Sequence, residues 1–178
     1  AFSAEKCSNI KILNLKITGG GFDALHFSSI VNLHIENVVS DGATGNAIFI
    51  NGADSDGNIL KSRYQIIKSS FRGQMRPVRI EIMTPSASIF KFSECIFDAR
   101  DVEAAAVSMA MTCSLEPFGG FDFGSSRALV NRGLAWDFTG GPGAGLQKMG
   151  SGWLYEEHPN YSRLLTGSTL TKERPYNP

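Results

Sequence analysis

Leu13-Asn14-Leu15-Lys16-Ile17, followed by Gly19-Gly20-Gly21 and Phe22-Asp23-Ala24-Leu25-His26-Phe27, is written a second time a few residues on. The second copy reads Val31-Asn32-Leu33-His34-Ile35, a polar break at Asp41-Gly42-Ala43-Thr44-Gly45, then Asn46-Ala47-Ile48-Phe49-Ile50. Apolar and polar residues alternating over five or six positions mark a strand with one buried face. Leu13, Leu15 and Ile17 are therefore expected on one side, as are Val31, Leu33 and Ile35. Glycine-rich breaks of unequal length do not specify a tight hairpin. Equivalent strands can stack on each other instead.

Two looser copies extend the pattern. Tyr64-Gln65-Ile66-Ile67-Lys68-Ser69-Ser70-Phe71 matches Phe90-Lys91-Phe92-Ser93-Glu94-Cys95-Ile96-Phe97, ring against ring. Each is followed by a second strand, Val78-Arg79-Ile80-Glu81-Ile82 and Ala106-Val107-Ser108-Met109-Ala110-Met111. Steps from Leu15 to Leu33, Tyr64 and Phe90 are 18, 31 and 26 residues. Repeats of this length point to a solenoid whose units bury their apolar faces only against their neighbours. The run Val102-Glu103-Ala104-Ala105-Ala106-Val107 has the composition of a helix, but the repeat register places a loop and then a strand there.

The Asn-Leu-Lys-Ile and Asn-Leu-His-Ile strands, each followed by a glycine break and an Ala-Leu/Ile-x-Phe/Ile strand, resemble successive coils of pectin-lyase-like proteins. Within them the nearest likeness is the C-terminal part of a bacteriophage tailspike or tail fibre. That resemblance implies an all-β chain: a right-handed parallel β-helix of about four coils over residues 9–113 (a first region of 1–113). A β-rich trimerisation or tip region, 114–178, follows. It further implies attachment to bacterial surface polysaccharide, a homotrimer, and a place in the virion after assembly in the host cytoplasm. A polysaccharide hydrolase or lyase of the same architecture is the alternative, and a purely structural trimerisation module a third. With only Ala1 to Ser8 ahead of the first coil, the chain is expected to be the C-terminal part of a longer polypeptide.

Bulk properties narrow the partners. Lys and Arg number 17 and Asp and Glu 17, a net charge of zero, so no global field recruits nucleic acid or anionic membrane. No apolar run reaches the length that crosses a bilayer, and membrane insertion is not expected. Cys7, Cys95 and Cys113 match no zinc or redox spacing and are expected to be reduced, mostly buried thiols. Asp54-Ser55-Asp56-Gly57-Asn58 clusters oxygens as a calcium loop does, but lacks the later bidentate Glu and the flanking helices. The same residues are ordinary turn chemistry. No metal or cofactor is expected.

Glycoside hydrolysis needs two carboxyls, either ~5 Å or ~6.5–9.5 Å apart, and strands stacked about 4.8 Å apart can supply both separations. Glu36, Glu81, Glu94 and Asp98 are the candidate catalytic residues, with Asp101 and Glu103 beside them. A solvated strand face explains each equally well. Arg76 and Arg79, flanking Pro77 and Val78, are candidate substrate-binding residues; their spacing does not match the pectate lyase motif, and the polygalacturonase signatures are absent. His26 and His34 point outward by alternation, while His158 lies far along the chain.

After Cys113 large rings alternate with glycines, as in Phe118-Gly119-Gly120-Phe121-Asp122-Phe123-Gly124, Trp136 to Gly145 and Trp153-Leu154-Tyr155. Such rings serve either contact between chains or stacking on sugar faces, which makes Trp136 and Trp153 candidate substrate-binding residues. Tyr161 to Pro178, ending in Pro175 and Pro178, reads as an extended or disordered end.

Overall fold

The computed structural model describes residues 1–52, 61–82, 88–102, 105–111, 120–132, 134–140, 153–158 and 161–166. Asp54 to Asn58, Glu103, Cys113 and the terminal prolines lie outside them. The first strands are β1 (Phe2–Glu5), β2 (Ile10–Thr18), β3 (Leu25–Ser28), β4 (Asn32–Ala43) and β5 (Asn46–Asn51). Next come β6 (Arg63–Ile67), β7 (Ser70–Gly73), β8 (Arg76–Ile82), β9 (Ile89–Ser93), β10 (Ile96–Ala99) and β11 (Val107–Met111). The last are β12 (Gly120–Asp122), β13 (Ser125–Val130), β14 (Trp136–Gly140), β15 (Trp153–His158) and β16 (Tyr161–Thr166). The described residues contain no helix, and the Ala-rich run ends in β11, a strand.

The strands form two sheets. One is ordered β1-β3-β5-β8-β11-β14 and is parallel throughout. In the other, the long β4 pairs in parallel with β2 on one side. Its first half meets β6 and its second half β7 on the other. Strands β9 and β12 continue from β6, and β10, β13 and β15 continue from β7, all parallel. Each unit thus lays its strands beside those of the unit before it. The parallel pairing runs past residue 113 through β14 and β15. Tyr161 to Thr166, read as an extended end, forms β16 and pairs antiparallel with β15.

One residue per layer in the left-handed backbone region shapes the second sheet. Asn14, Asn37, Lys68 and Glu94 have φ of 54°, 54°, 49° and 55°, and Gly124 has 53°. Each shifts the in/out alternation by one. Leu33 and Ile35 are buried before Asn37, Val38 and Ser40 after it; Phe90 and Phe92 before Glu94, Cys95 and Phe97 after it. This corrects the first alignment. Ile10 pairs with Leu33, and Leu15 with Val38, so the first step is 23 residues rather than 18. Leu13, on the far side of the Asn14 bend from Leu15 and Ile17, is 42% exposed. Asparagine suits this conformation, and the amides stack: Asn32 Nδ2 donates to Asn9 Oδ1 at 3.0 Å and Asn37 Nδ2 to Asn14 Oδ1 at 2.7 Å.

A bend interrupts the backbone ladder, and a buried N–H there needs an acceptor. A serine hydroxyl of the next layer supplies it: Ser69 Oγ accepts from Val38 N at 3.1 Å and Ser126 Oγ from Cys95 N at 3.2 Å. Cys95 Sγ instead satisfies a carbonyl, donating to Ile66 O at 3.3 Å. Burial pushes the Cys95 thiol up to about 11, so it stays protonated. Cys7, expected with the buried thiols, is exposed between β1 and β2.

The core is one column of inward rows. Leu33, Tyr64, Phe90 and Phe121 are lateral partners, as are Leu25, Ile48, Val78 and Val107 in the other sheet. In-register parallel strands sit 4.7–4.9 Å apart, which is the spacing at which aromatic rings stack. Tyr64 and Phe90 lie 4.5 Å apart with planes at 6°, Phe90 and Phe121 at 4.8 Å and 15°. The buried Tyr64 hydroxyl donates to Ile30 O at 3.0 Å, and burial raises its pKa to about 12.

Candidate functional site

The phase shift at each bend decides which side chains face out on the second half of the larger sheet. Val39, Ser70 and Ile96 are laterally paired and point outward; Val39 and Ile96 are each 39% exposed. Two residues further along the same strands stand Asp41, Arg72 and Asp98. A row with two exposed aliphatic side chains, Val39 and Ile96, therefore runs beside a charged one.

The charged row opens into a cleft of about 310 Å³ lined by Asp41, Arg72, Gln74, Asp98, Asp101 and Val102, with Gly42 and Gly73 at its floor strands. Arg72 bridges two carboxylates: Nη2 donates to Asp101 Oδ2, and Nε lies 4.0 Å from Asp41 Oδ1. Arg100 grips Asp98 bidentately, Nε to Oδ1 at 2.9 Å and Nη2 to Oδ2 at 2.7 Å. That side-chain hydrogen bonding, against the opposing effect of burial, holds the Asp98 carboxyl below the usual aspartate range. Asp98 is an acceptor-only carboxylate at ordinary pH. A second cleft of about 250 Å³, lined by Gln65, Ile67, Lys91, Ser93 and Asp122 among others, lies on the first half of the same sheet.

The four carboxylates expected to do chemistry are not brought together. Glu36 is half-buried on the first half of the sheet, its Oε2 3.1 Å from His34 Nε2. Glu94 is exposed at a bend, and Glu81 lies on the smaller sheet, bonded to Arg79 Nε at 2.7 Å. Only Asp98 is in the cleft. Nor do the three that lie in strands face a carboxylate across the ladder. Glu36 has Leu13 and Ile67 as lateral partners, Glu81 has Asn51 and Ala110, and Asp98 has Leu129. Among the described residues no group of three His, Cys, Asp or Glu side chains could hold a metal ion.

Arg76 and Arg79 belong to β8, on the smaller sheet, and do not line the cleft. Arg79 sits with its guanidinium 5.8 Å from the Phe49 ring centroid; burial, then its neighbour Arg79, lowers the Arg76 pKa. His26 Nδ1 lies 3.3 Å from Asp23 Oδ2 on that same sheet. Trp136 is in register with Val107 of β11. Trp153 pairs with Ser125 and Thr166.

Asp41 is the charged cleft residue that the sequence did not single out. Asp41 reads as part of a polar break, yet it belongs to β4. The available signal was its spacing of two from Val39, across the buried Ser40. Comparison with protein-family models, curated proteins and solved structures returns no match, so function is argued from this geometry.

Proposed function

We propose that this chain is a polysaccharide-binding attachment module of tailspike type. In this reading its layered strands are coils of a right-handed parallel β-helix, the region beyond residue 113 helps three copies associate, and the protein acts in the virion. The observation that carries the binding function is the pair of adjacent rows on the larger sheet, aliphatic Val39 and Ile96 beside hydrogen-bonding Asp41, Arg72 and Asp98. Such a surface offers apolar contact to the C–H faces of a sugar and fixed acceptors and donors to its hydroxyls. The side chains are already held by one another, so little ordering entropy remains to oppose binding. Attachment is favoured over hydrolysis by the state of Asp98: a glycosidase acid needs a raised pKa, and Arg100 shifts Asp98 the other way.

An array of bacterial surface polysaccharides tests this directly. The full chain is expected to retain at least one of them without releasing reducing ends. Arg72→Ala is expected to weaken retention by ~10–100-fold, the loss of one or two charge-assisted hydrogen bonds, while Lys11→Ala on the first layer leaves it unchanged. Retention insensitive to Arg72, or release of reducing ends, would overturn the assignment.

A further inference from the structure

The side chains lining the cleft are not charge-balanced. Asp41, Asp98 and Asp101 face Arg72 alone, and Arg100, which reaches Asp98 from outside the lining, still leaves one carboxylate in excess. Arg72 donates to Asp101 and lies beside Asp41, so two carboxylates of the chain already draw on its one positive charge. Lys16 and Arg127 sit at the two ends of the neighbouring Val39–Ser70–Ile96 row and not in the cleft. Ionised carboxylates only accept hydrogen bonds, and they match hydroxyl and ammonium donors.

We infer that the cleft selects polysaccharides of neutral or amino sugars and rejects chains bearing uronate or sialate carboxylates, an inference that rests on the polysaccharide-binding reading above. A ligand carboxylate placed against Asp98 meets a like charge, and like charges juxtaposed in an interface oppose binding strongly. Because the depressed Asp98 stays ionised until the pH falls below the ordinary aspartate range, the rejection persists through mildly acid conditions.

The same array, with its polymers sorted into neutral, amino-sugar and acidic groups, is the test. The full chain is expected to be retained by members of the first two groups and not the third. Asp98→Asn combined with Asp101→Asn, with circular dichroism as a folding check, is expected to raise retention on acidic polymers by ~10-fold or more. Preference of the unmodified chain for acidic polymers overturns the charge selection and leaves attachment standing. Retention on no polymer overturns both. A folded double variant with no gain on acidic polymers shows that these carboxylates do not set the selection, and overturns it as well.

Discussion

Replacing Phe92 with alanine is expected to lower the free energy of unfolding by about 3–5 kcal/mol, the usual cost of emptying a buried aromatic site. Phe92 is 1% exposed. It stacks on Phe123 of the next layer at 5.5 Å and 13°, and meets Phe97 of its own layer edge-on at 5.5 Å and 87°. Such ring pairs contribute about 0.5–1.5 kcal/mol each beyond their area. The cavity cannot collapse easily, because its walls are the strands of three successive layers, fixed by ladder hydrogen bonds on both sides. Urea unfolding measures the effect. Loss of under about 1 kcal/mol would mean that the ring is not enclosed by layers above and below.

Gly73→Ala is the second large effect, and it tests a backbone contact. A β-carbon at Gly73 would lie 2.5 Å from Arg76 O, 2.6 Å from Gly45 O and 2.7 Å from Ala47 N. All three are main-chain atoms, so no side chain can swing aside. Overpacking costs 1–3 kcal/mol and at times more; here the upper end, about 3 kcal/mol, is expected. For a chain of this size that is a fall in Tm of about 10 °C. Gly21→Ala serves as the control, since its added carbon meets nothing within 4 Å, and a shift within about 0.5 kcal/mol is expected there. Equal effects at the two glycines would contradict the close approach of β7 to the β4–β5 turn.

The two looser repeats were legible because ring stood against ring: Tyr64 does pair with Phe90, and Ile66 with Phe92. The two clearest repeats misled, for a local reason. Leu13-Asn14-Leu15 alternates in the sequence, yet Asn14 is left-handed, so the chain changes phase between the two leucines. Five residues of alternation cannot reveal a bend that substitutes for one step of it. The same bend hid the cleft, because Asp41 reads as turn until β4 is followed through Asn37 to Ala43. Alternation marks Glu36 and Glu81 as outward carboxylates and puts Glu94 beside them, but it does not say which strand is whose neighbour. That knowledge comes only from the lateral register. The ring-and-glycine character after Cys113 suggested a change of architecture, but Phe121 and Phe123 carry the aromatic columns of β9 onward by another layer.

The stacking of successive units in one parallel order underlies both the core column and the paired outer rows, and proton–proton distances across it are the most direct measurement. Nuclear Overhauser contacts are expected from the Tyr64 ring to both Leu33 and Phe90, and from the Phe90 ring onward to Phe121, in that sequence. Absence of the Tyr64–Phe90 contact, together with the close Hα–Hα pairs of antiparallel neighbours between β4, β6 and β9, would contradict it.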